Sequence, residues 1–469
     1  TSGVFQMESA GMTGVCVGLR PQSVEDLTAI VALYRPGPMD SIPRFIACKH
    51  DPKLVTYKHP ALKPILSITY GCIVYQEQVM QIFQQLAGYS LGQADMIRRA
   101  MSKKKAKDIE KERGAFLHGD PERNISGCVA GGIPEATAEA IYQEIYDFAN
   151  YAFNKAHAVS YAVVAYQTAY FKCHYTREYM AALLTSVLDN SDKVAGYINE
   201  CRDCGIALLP PDINRSLDRF TVEEGGIRFG LVAIKNIGRG FIQAVMRERE
   251  TNGPFASLHS FCRRMAGSDM NKRALENLIR AGAFDSTGAR RSQLIRVYEK
   301  VLDAASQSQR QNLEGQLDFF GMSHSREREE VHLPDIPEFT AQERMTMEKE
   351  TTGLYLSGHP MDAYRDIVRR LRVPQIGKVL EDFAQEGGPT RFADGQFLTL
   401  AGVITSSKTK TTKNNSLMAY VVVEDETGSI EMLCFSRTLD VCGPYLRENQ
   451  AVVVKGKLSV RDEKAPQLM

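Results

Sequence analysis

The hydrophobic pattern of this chain changes from helical to β-like along its length. An amphipathic helix is predicted where apolar residues recur at i, i+3, i+4 and i+7: Val79, Ile82, Phe83 and Leu86. Gly88 is a typical helix stop, and Ser90 with Gln93 forms a capping-box pattern that opens the next helix. From residue 395, short apolar runs separated by turn residues predict strands at 398–404, 419–423, 430–435 and 451–460. We therefore expect a multi-domain, mainly α protein with a small C-terminal β-barrel.

Length and composition indicate several folded domains. The chain has 469 residues, which exceeds one ordinary core, and a prior of roughly 150 residues per domain suggests about three. Hydrophobic residues make up 43% and charged residues 24%, as in soluble globular proteins. Residues 303–345 are polar and charged, which predicts a linker. Because the net charge is only +1, any contact with nucleic acid must come from local basic surfaces.

The cysteines and the longest apolar stretch both favour a cytoplasmic protein. Ten cysteines at unrelated spacings, without a secretory signal, predict reduced thiols. Cys201 and Cys204 have the first half of a zinc-site spacing, but no second pair follows, so we expect no metal site there. Charged residues interrupt the apolar stretch 161–184, which we interpret as a buried helix rather than a membrane span. We expect no membrane association.

The densest basic run lies at residues 98–113. This run contains three anions and eight cations. The cations are Arg98, Arg99, Lys103, Lys104, Lys105, Lys107, Lys111 and Arg113. A helix with two adjacent arginines can brace a triphosphate, because each guanidinium fork can hold phosphate oxygens bidentately. The alternative is an ordinary solvated helix face.

Two further segments place cations where they could face a polyanion. Arg35 opens a stiff Pro-Gly-Pro turn. Phe153-Asn-Lys-Ala-His157 brings a cation, an imidazole and an amide together ahead of a long helix. Taken singly, Lys155 and His157 are more often capping or surface groups. The polar residues 75–78 likewise fit a capped helix end.

Two glycine-containing turns lie within residues 208–300. Ile237-Gly238-Arg239-Gly240 is a helix-hairpin-helix signature, in which glycines let two backbone N–H groups approach a phosphate at a helix start. Such contacts do not depend on base sequence. The alternative is an ordinary turn between two helices. The second turn, at 281–283, lacks a second glycine, and we expect it only to pack.

A short apolar cluster lies inside the polar linker. Gln316-Leu317-Asp318-Phe319-Phe320 combines a leucine with two aromatics where there is no local core to join. Exposed apolar clusters in such places usually serve a partner. The alternative is a loop that folds back onto its own domain.

These segments occur in a specific order along the chain. They are Gly3-Val-Phe-Gln-Met-Glu-Ser9, Arg35-Pro-Gly-Pro38, Tyr75-Gln-Glu-Gln-Val-Met80, residues 94–105, Phe153-Asn-Lys-Ala-His157 and Leu209-Pro-Pro-Asp-Ile-Asn214. Together they resemble the C-family bacterial replicative DNA polymerases, and the resemblance covers essentially the whole chain. Ser102 stands where the family usually has glycine, which could stiffen that turn without removing the basic surface.

The resemblance implies a domain order. It predicts a fingers domain at 1–205, a helix-hairpin-helix DNA-binding module at 206–302, a polar linker with a clamp-binding peptide at 303–345, a connecting helical segment at 346–394 and an OB-fold at 395–469. We expect the OB-fold to be truncated, because the chain ends before five strands can be counted.

The resemblance also implies binding residues and partners. Those implied to bind the dNTP triphosphate are Arg98, Arg99, Arg35, Lys155 and His157. Those implied to bind primer–template DNA are Lys103, Lys104, Lys105, Ile237, Gly238, Arg239, Gly240 and, in a loop between the first two strands, Lys408, Lys410 and Lys413. Those implied to bind the sliding clamp (beta subunit) are Gln316, Leu317, Asp318, Phe319 and Phe320. Other subunits of the replicase holoenzyme are further expected partners.

The resemblance further implies an enzyme whose catalytic residues lie outside this chain. Template-directed 5′-to-3′ DNA synthesis uses two divalent metal ions held by converging carboxylates, and the family carries three palm aspartates. The sequence contains no Asp-x-Asp pair, starts at Thr1 and ends at Met469 in a strand-rich region. We therefore expect a fragment that is inactive alone, with Mg²⁺ bound by palm residues outside this chain. The alternative is a noncatalytic DNA-binding and clamp-binding adaptor.

Overall fold

The computed structural model describes two compact units, Thr1–His174 and Tyr175–Met469. The described residues are 1–35, 38–102, 112–149, 153–188, 190–268, 270–313, 331–383, 389, 391–411, 416–460 and 465–469. In this part of the chain, no helix combines the length and the apolarity needed to cross a membrane.

The first unit consists of helices joined by turns and short 3₁₀ segments. Its α-helices are α1 (Ala10–Leu19), α2 (Val24–Leu33), α3 (Ile42–His50), α4 (Lys63–Leu66), α5 (Gln76–Ala87), α6 (Leu91–Ser102), α7 (Arg113–His118), α8 (Glu135–Ala149) and α9 (Lys155–His174). The predicted amphipathic helix is confirmed as α5, whose apolar face is buried and which Gly88 ends with a φ of 78°. The predicted capping box is confirmed as well, since the Ser90 N–H donates to Gln93 Oε1 and the Gln93 N–H donates to Ser90 Oγ.

Two hydrophobic cores hold this unit together. In one, the rings of Phe83, Phe116 and Tyr142 pack against one another with centroids 4.8–6.4 Å apart. The other is formed mainly by α1, α2, α3 and α9. At its edge the Lys49 ammonium donates to Asp26 Oδ2 at 2.8 Å, with both side chains 7% exposed. This ion pair joins α2 to α3, which the apolar pattern alone does not predict.

The apolar stretch 161–184 is not one buried helix, so that prediction was wrong. The stretch divides at Tyr175, between α9 and α10 (Thr176–Ser186). Within α9, the described buried residues are Ala158, Ala162 and Ala165. Larger apolar side chains of α9 are exposed: Val163, Val164, Tyr166, Tyr170 and Phe171. The three small alanine side chains let α9 pack closely against α2. A count of apolar residues in the sequence does not show that only the alanine side of α9 is buried.

The second unit contains the remaining helices and two sheets. Its further α-helices are α11 (Ser191–Asp203), α12 (Arg239–Asn252), α13 (Leu258–Arg264), α14 (Lys272–Arg280), α15 (Arg291–Leu313), α16 (Ala341–Thr352), α17 (Arg365–Leu371), α18 (Ile376–Phe383) and α19 (Ser436–Cys442). The strands β1 (Leu208–Leu209), β2 (Thr221–Glu223) and β3 (Gly226–Arg228) form a small sheet in the order β1-β3-β2. A core that includes Phe229, Phe261 and Phe284 lies among α10 to α15.

Five strands at the C-terminal end form a closed barrel. They are β4 (Phe397–Thr411), β5 (Leu417–Glu424), β6 (Ser429–Cys434), β7 (Ala451–Ser459) and β8 (Gln467–Leu468), in the order β4-β5-β6-β8-β7. The long β4 closes the ring, because its first half pairs with β7 and its second half pairs with β5. A register shift between Ile404 and Ser406 marks the change of partner.

The predicted fold class, mainly α with a C-terminal small β-barrel, is confirmed. The sequence showed only four strands and suggested that the barrel would be incomplete. The fifth strand is the two-residue β8, which is too short to show an alternating pattern. Where the functional domains begin and end stays a prediction.

Candidate functional site

The segments at 75–78 and 153–157, distant in sequence, are joined at the start of α9. The Gln76 N–H donates to the Phe153 carbonyl at 2.9 Å. The Glu77 carboxylate accepts from Asn154 Nδ2 at 2.7 Å and from the Lys155 N–H at 2.9 Å. Asn154 Oδ1 in turn accepts from the His157 N–H at 2.9 Å. Glu77 therefore fixes the first turn of α9, a positioning role that the sequence interpretation missed.

Arg35 joins this cluster through an aromatic ring. The guanidinium carbon of Arg35 lies 3.6 Å from the centre of the Phe153 ring. The His157 ring centre lies 5.4 Å from that of Phe153 and 4.4 Å from that of Tyr161. Arg35 is exposed at the surface, and partial desolvation lowers its pKa from the ordinary value. Phe153 thus holds Arg35 and His157 next to each other, as a cation–π partner and as an edge contact.

A cavity of about 640 Å³ opens beside Arg35 and His157. Its other wall comes from the first segment of the chain, including Phe5, Glu8 and Ser9. The arrangement offers a guanidinium and an imidazole next to a single carboxylate, which suits a bound anionic group.

Lys155 lies near this cluster but has its own partners. Its ammonium is 3.3 Å from Glu25 Oε2 on α2 and 5.4 Å from the centre of the Tyr75 ring. The structure therefore brings three of the five predicted triphosphate residues together around the start of α9: Arg35, Lys155 and His157.

The other two, Arg98 and Arg99, lie on α6 and share one carboxylate. Arg98 Nε donates to Asp95 Oδ1 at 2.7 Å, and Arg99 Nε donates to Asp95 Oδ2 at 2.8 Å. The hydrogen bond from Arg98 lowers the pKa of Asp95 most, and the hydrogen bond from Arg99 lowers it further. Both hydrogen bonds use Nε. The terminal nitrogens of the two guanidinium groups have no partner among the described side chains. Asp95 lies in the segment at residues 94–105, but its role in orienting both arginines was not predicted.

Most of the predicted basic run beyond Arg99 lies outside the described residues. Lys103, Lys104 and Lys105 lie outside the described residues, as do the predicted clamp-binding residues Gln316–Phe320 and Lys413.

The turn Ile237-Gly238-Arg239-Gly240 begins α12. Gly238 is the N-cap residue, and no side chain caps the helix. The first N–H groups of a helix have no intrahelical acceptor, so they are free to bind an anion at this end. A Cβ atom built on Gly238 or Gly240 would meet nothing within 4 Å. Intramolecular crowding therefore does not require glycine at either position.

The turn at Gly282 differs from the first. Gly282 has a φ of +86°, and a Cβ there would lie 2.3 Å from Arg291 Nη2. Arg291 is buried and forms ion pairs with Asp285 at 2.7 Å and with the fully buried Glu348 at 2.9 Å. These contacts agree with the packing role expected for this turn.

Lys408 and Lys410 are not in a loop, so that placement was wrong. Both lie in β4, where they pair with Tyr420 and Met418 of β5, and both are exposed. The hydrogen-bonded hairpin extends further than the apolar run because polar residues can continue a ladder once the register is set.

The donor sets in the described part of the chain do not fit a metal ion. No group of three or more His, Cys, Asp or Glu side chains converges there. All ten cysteines are free thiols.

Comparisons with known proteins agree with this arrangement of elements. Residues 1–124 match the family described as the bacterial DNA polymerase III alpha subunit finger domain. Residues 205–294 match a helix-hairpin-helix motif, and residues 398–469 match an OB-fold nucleic acid binding domain.

Individual relatives extend the similarity over nearly the whole chain. The chain is 39% identical to the DNA polymerase III subunit alpha of Vibrio cholerae over 98% of its length. It is 40% identical to that of Thermus aquaticus over 99% of its length and 39% identical to that of Escherichia coli over 98%. The chain belongs to the DNA polymerase III alpha subunit family. It spans between 37% and 39% of the length of these three relatives.

Proposed function

We propose that this chain is part of the catalytic alpha subunit of a bacterial replicative DNA polymerase, which carries out template-directed 5′-to-3′ DNA synthesis from dNTPs. The observation that carries the proposal is the meeting of Arg35, Lys155 and His157 around the start of α9. A cavity beside Arg35 and His157 is lined in part by the segment at residues 3–9, through Phe5, Gln6, Glu8 and Ser9. This cluster suits a bound polyphosphate.

Arg98 and Arg99 are proposed to hold the triphosphate during phosphoryl transfer. Catalysis of that reaction is mainly positioning and electrostatic stabilisation, since little covalent chemistry falls to the protein. The Asp95 carboxylate orients both Nε groups and leaves the terminal nitrogens to donate to phosphate oxygens. Such charge-assisted bonds strengthen as negative charge redistributes toward the transition state.

The metal ions of the reaction are assigned to residues outside this chain. The sequence has no Asp-x-Asp pair, and the described side chains offer no metal cluster. The part of the reaction proposed for this chain is to bind and orient the nucleotide and the DNA.

The second unit is proposed to bind DNA. The helix N-terminus at Gly238 can donate backbone N–H groups to a phosphate without reading base sequence. Lys408 and Lys410 add exposed cations to the barrel, the type of fold that commonly binds single strands. Gln316–Phe320 is proposed to dock on the sliding clamp. Other subunits of the replicase holoenzyme are further proposed partners.

Two measurements test the proposal. Equilibrium titration of the 469-residue chain with a fluorescent dNTP should show binding that is weakened by the double substitution Arg98→Ala and Arg99→Ala. The matched control is Lys63→Ala, an exposed cation on α4, which should bind like the unsubstituted chain. Equal binding by both variants would contradict the assigned role of the arginines.

Primer extension tests the location of the catalytic centre. The 469-residue chain with primer–template DNA, dNTPs and Mg²⁺ should give no extension product, because converging palm aspartates are needed. Measurable extension would show that the catalytic carboxylates are in this chain after all.

A further inference from the structure

A cavity of about 530 Å³ lies between α17, α18 and the barrel. None of the predicted binding residues lines it. Its floor is apolar and belongs to a small hydrophobic cluster that includes Met361, Val368, Val373 and Ala401. We call it the α17 cavity.

Cations form the rim of the α17 cavity. Arg365, Arg369 and Arg372 line it at i, i+4 and i+7, which places them on one side of α17 and its C-cap. Lys378 lines it from α18. Arg365 is bound to Asp362 at 2.7 Å and to Glu426 at 3.0 Å. Arg369, Arg372 and Lys378 are exposed, and none has an ion-pair partner among the described residues.

The carboxylates of the cavity are already engaged. Asp425 accepts from the N–H groups of Ile376, Thr427 and Gly428 and from the Thr427 hydroxyl. Glu426 accepts from Arg365. Neither carboxylate forms an ion pair with Arg369, Arg372 or Lys378 among the described residues. The described lining carries four cations and two carboxylates, and is therefore net positive.

Helix stability does not account for these cations. Arginine in the last turn of α17 is favoured by the helix dipole, but Lys378 lies in the first turn of α18, where a cation is disfavoured. Arg372 has a φ of 52°, in the left-handed region where glycine is the usual C-terminal residue. Both positions carry a cation where local backbone energetics favour another residue.

We propose that the α17 cavity binds single-stranded DNA, with backbone phosphates held by Arg369, Arg372 and Lys378 and a base against the apolar floor. A single strand fits this combination because it exposes both its phosphates and its base faces, whereas a duplex keeps its bases stacked inside. The inference rests on the proposed DNA-binding function and adds a site to it.

The test compares the 469-residue chain with two variants. In the triple variant, Arg369, Arg372 and Lys378 are each changed to alanine. In the control, only Arg370→Ala is made; Arg370 is an exposed arginine of the same helix that does not line the cavity. Fluorescence anisotropy with a labelled single-stranded oligonucleotide, measured over a range of salt concentrations, gives the affinity and its salt dependence. Thermal melting should be the same for all three proteins.

The triple variant should bind single strands about tenfold more weakly, and the slope of log affinity against log salt should fall by about 2, close to 0.7 per phosphate contact. The Arg370→Ala control should keep most of the affinity and most of the salt dependence. If the control loses as much as the triple variant, or neither loses affinity, the α17 cavity is not the site. If the unsubstituted chain does not bind DNA at all, the proposed DNA-binding function fails together with this inference.

A cross-linking experiment tests where the base lies. A single strand that contains 5-iododeoxyuridine should form cross-links to the peptide that carries Met361 or Val373. Cross-links to other peptides only would overturn the placement. An equal loss of duplex binding in the triple variant would likewise overturn the part of the proposal that places a base in the cavity.

Discussion

The guanidinium carbon of Arg35 lies 3.6 Å from the centre of the Phe153 ring. The two residues are more than a hundred positions apart in the sequence, and the ring also contacts His157. The Gln76 N–H donates to the Phe153 carbonyl. Phe153 therefore connects the start of α5, the start of α9 and Arg35, and we call this set of contacts the Phe153 joint. The proposed nucleotide cavity lies on this joint.

Replacing the ring tests the joint. Phe153→Leu should lower the free energy of unfolding by about 1 kcal/mol, because a cation–π contact at an exposed site contributes about 0.5–1 kcal/mol and the His157 edge contact is also lost. In the full-length polymerase the same change should raise the KM for dNTP, since Arg35 and His157 lose their support. Urea denaturation and steady-state kinetics provide the measurements. Tyr166→Leu, a change at an exposed ring of α9, is the control and should alter neither value.

The arginine pair of α6 should act mainly through the transition state. In the full-length enzyme, Arg98→Ala or Arg99→Ala should raise the KM for dNTP and lower kcat. A lost charge-assisted bond of about 1.5–3 kcal/mol corresponds to a fall in kcat/KM of roughly tenfold to a hundredfold. Asp95→Asn keeps both arginines but weakens their orientation, so its effect should be smaller and of the same kind. Unchanged kinetics in all three variants would mean that α6 is a solvated face.

Local features of the fold could be predicted from the sequence, and joints between distant segments could not. The burial of Phe83 and the Ser90–Gln93 capping box follow from periodicity and short-range hydrogen bonding. By contrast, the bond from Asn154 to Glu77 depends on which helices meet, and that is decided by packing over the whole unit. The role of Asp95 lies between these cases, because its spacing to Arg98 and Arg99 is local and could have been recognised.

The buried pair Asp26–Lys49 should make the stability of the first unit depend on pH. Desolvation opposes ionisation of Asp26, but hydrogen bonds from the Gln22 N–H and Lys49 outweigh it and lower the pKa of Asp26 below its usual value. The folded pKa is thus below the unfolded one, so the ionised carboxylate stabilises the fold above the unfolded pKa. This stabilisation is lost as the pH falls through the folded value.

Asp26→Asn separates this contribution from the others. At neutral pH the variant should be less stable by about 3–5 kcal/mol, because Lys49 keeps its buried position without a counter-charge. The difference from the unsubstituted chain should shrink at acidic pH, where Asp26 also becomes neutral. Chemical denaturation at pH 7 and at pH values below the ordinary pKa of aspartate measures both quantities. A difference that does not change with pH would assign the loss to packing instead.

The pentapeptide Gln316–Phe320 should matter for processivity and not for chemistry. Phe319→Ala with Phe320→Ala should weaken binding to the sliding clamp at least tenfold, because aromatic anchors of an interface commonly contribute about 2 kcal/mol or more. Single-nucleotide insertion should be unchanged. Surface plasmon resonance with immobilised clamp and a single-turnover insertion assay give the two readouts, with Ser323→Ala as the control in the same linker. A loss of insertion would point to a folding role for the aromatics.

The glycines that begin α12 offer a test in which DNA binding changes much more than stability. Gly238 has a φ of −80°, and a Cβ at Gly238 or Gly240 would meet nothing within 4 Å. Gly240→Ala, inside the helix, should therefore leave the free energy of unfolding unchanged or raise it by about 0.4–1 kcal/mol, because alanine loses less conformational entropy on folding. Gly238→Ala should lower it slightly, by a few tenths of a kcal/mol, because alanine is a poorer N-cap residue than glycine. Their affinity for duplex DNA should nevertheless fall, since the added methyl groups keep phosphates away from the N–H groups at the helix start.

Gly282→Ala is the matched contrast. There the φ of +86° and the approach to Arg291 predict a loss of stability, because the new Cβ displaces a guanidinium held by two carboxylates. Thermal melting and duplex binding of the three variants distinguish the two roles of glycine. If Gly238→Ala and Gly240→Ala bind duplex DNA like the unsubstituted chain, no phosphate approaches this helix end closely, and the segment at 237–240 is an ordinary turn between two helices.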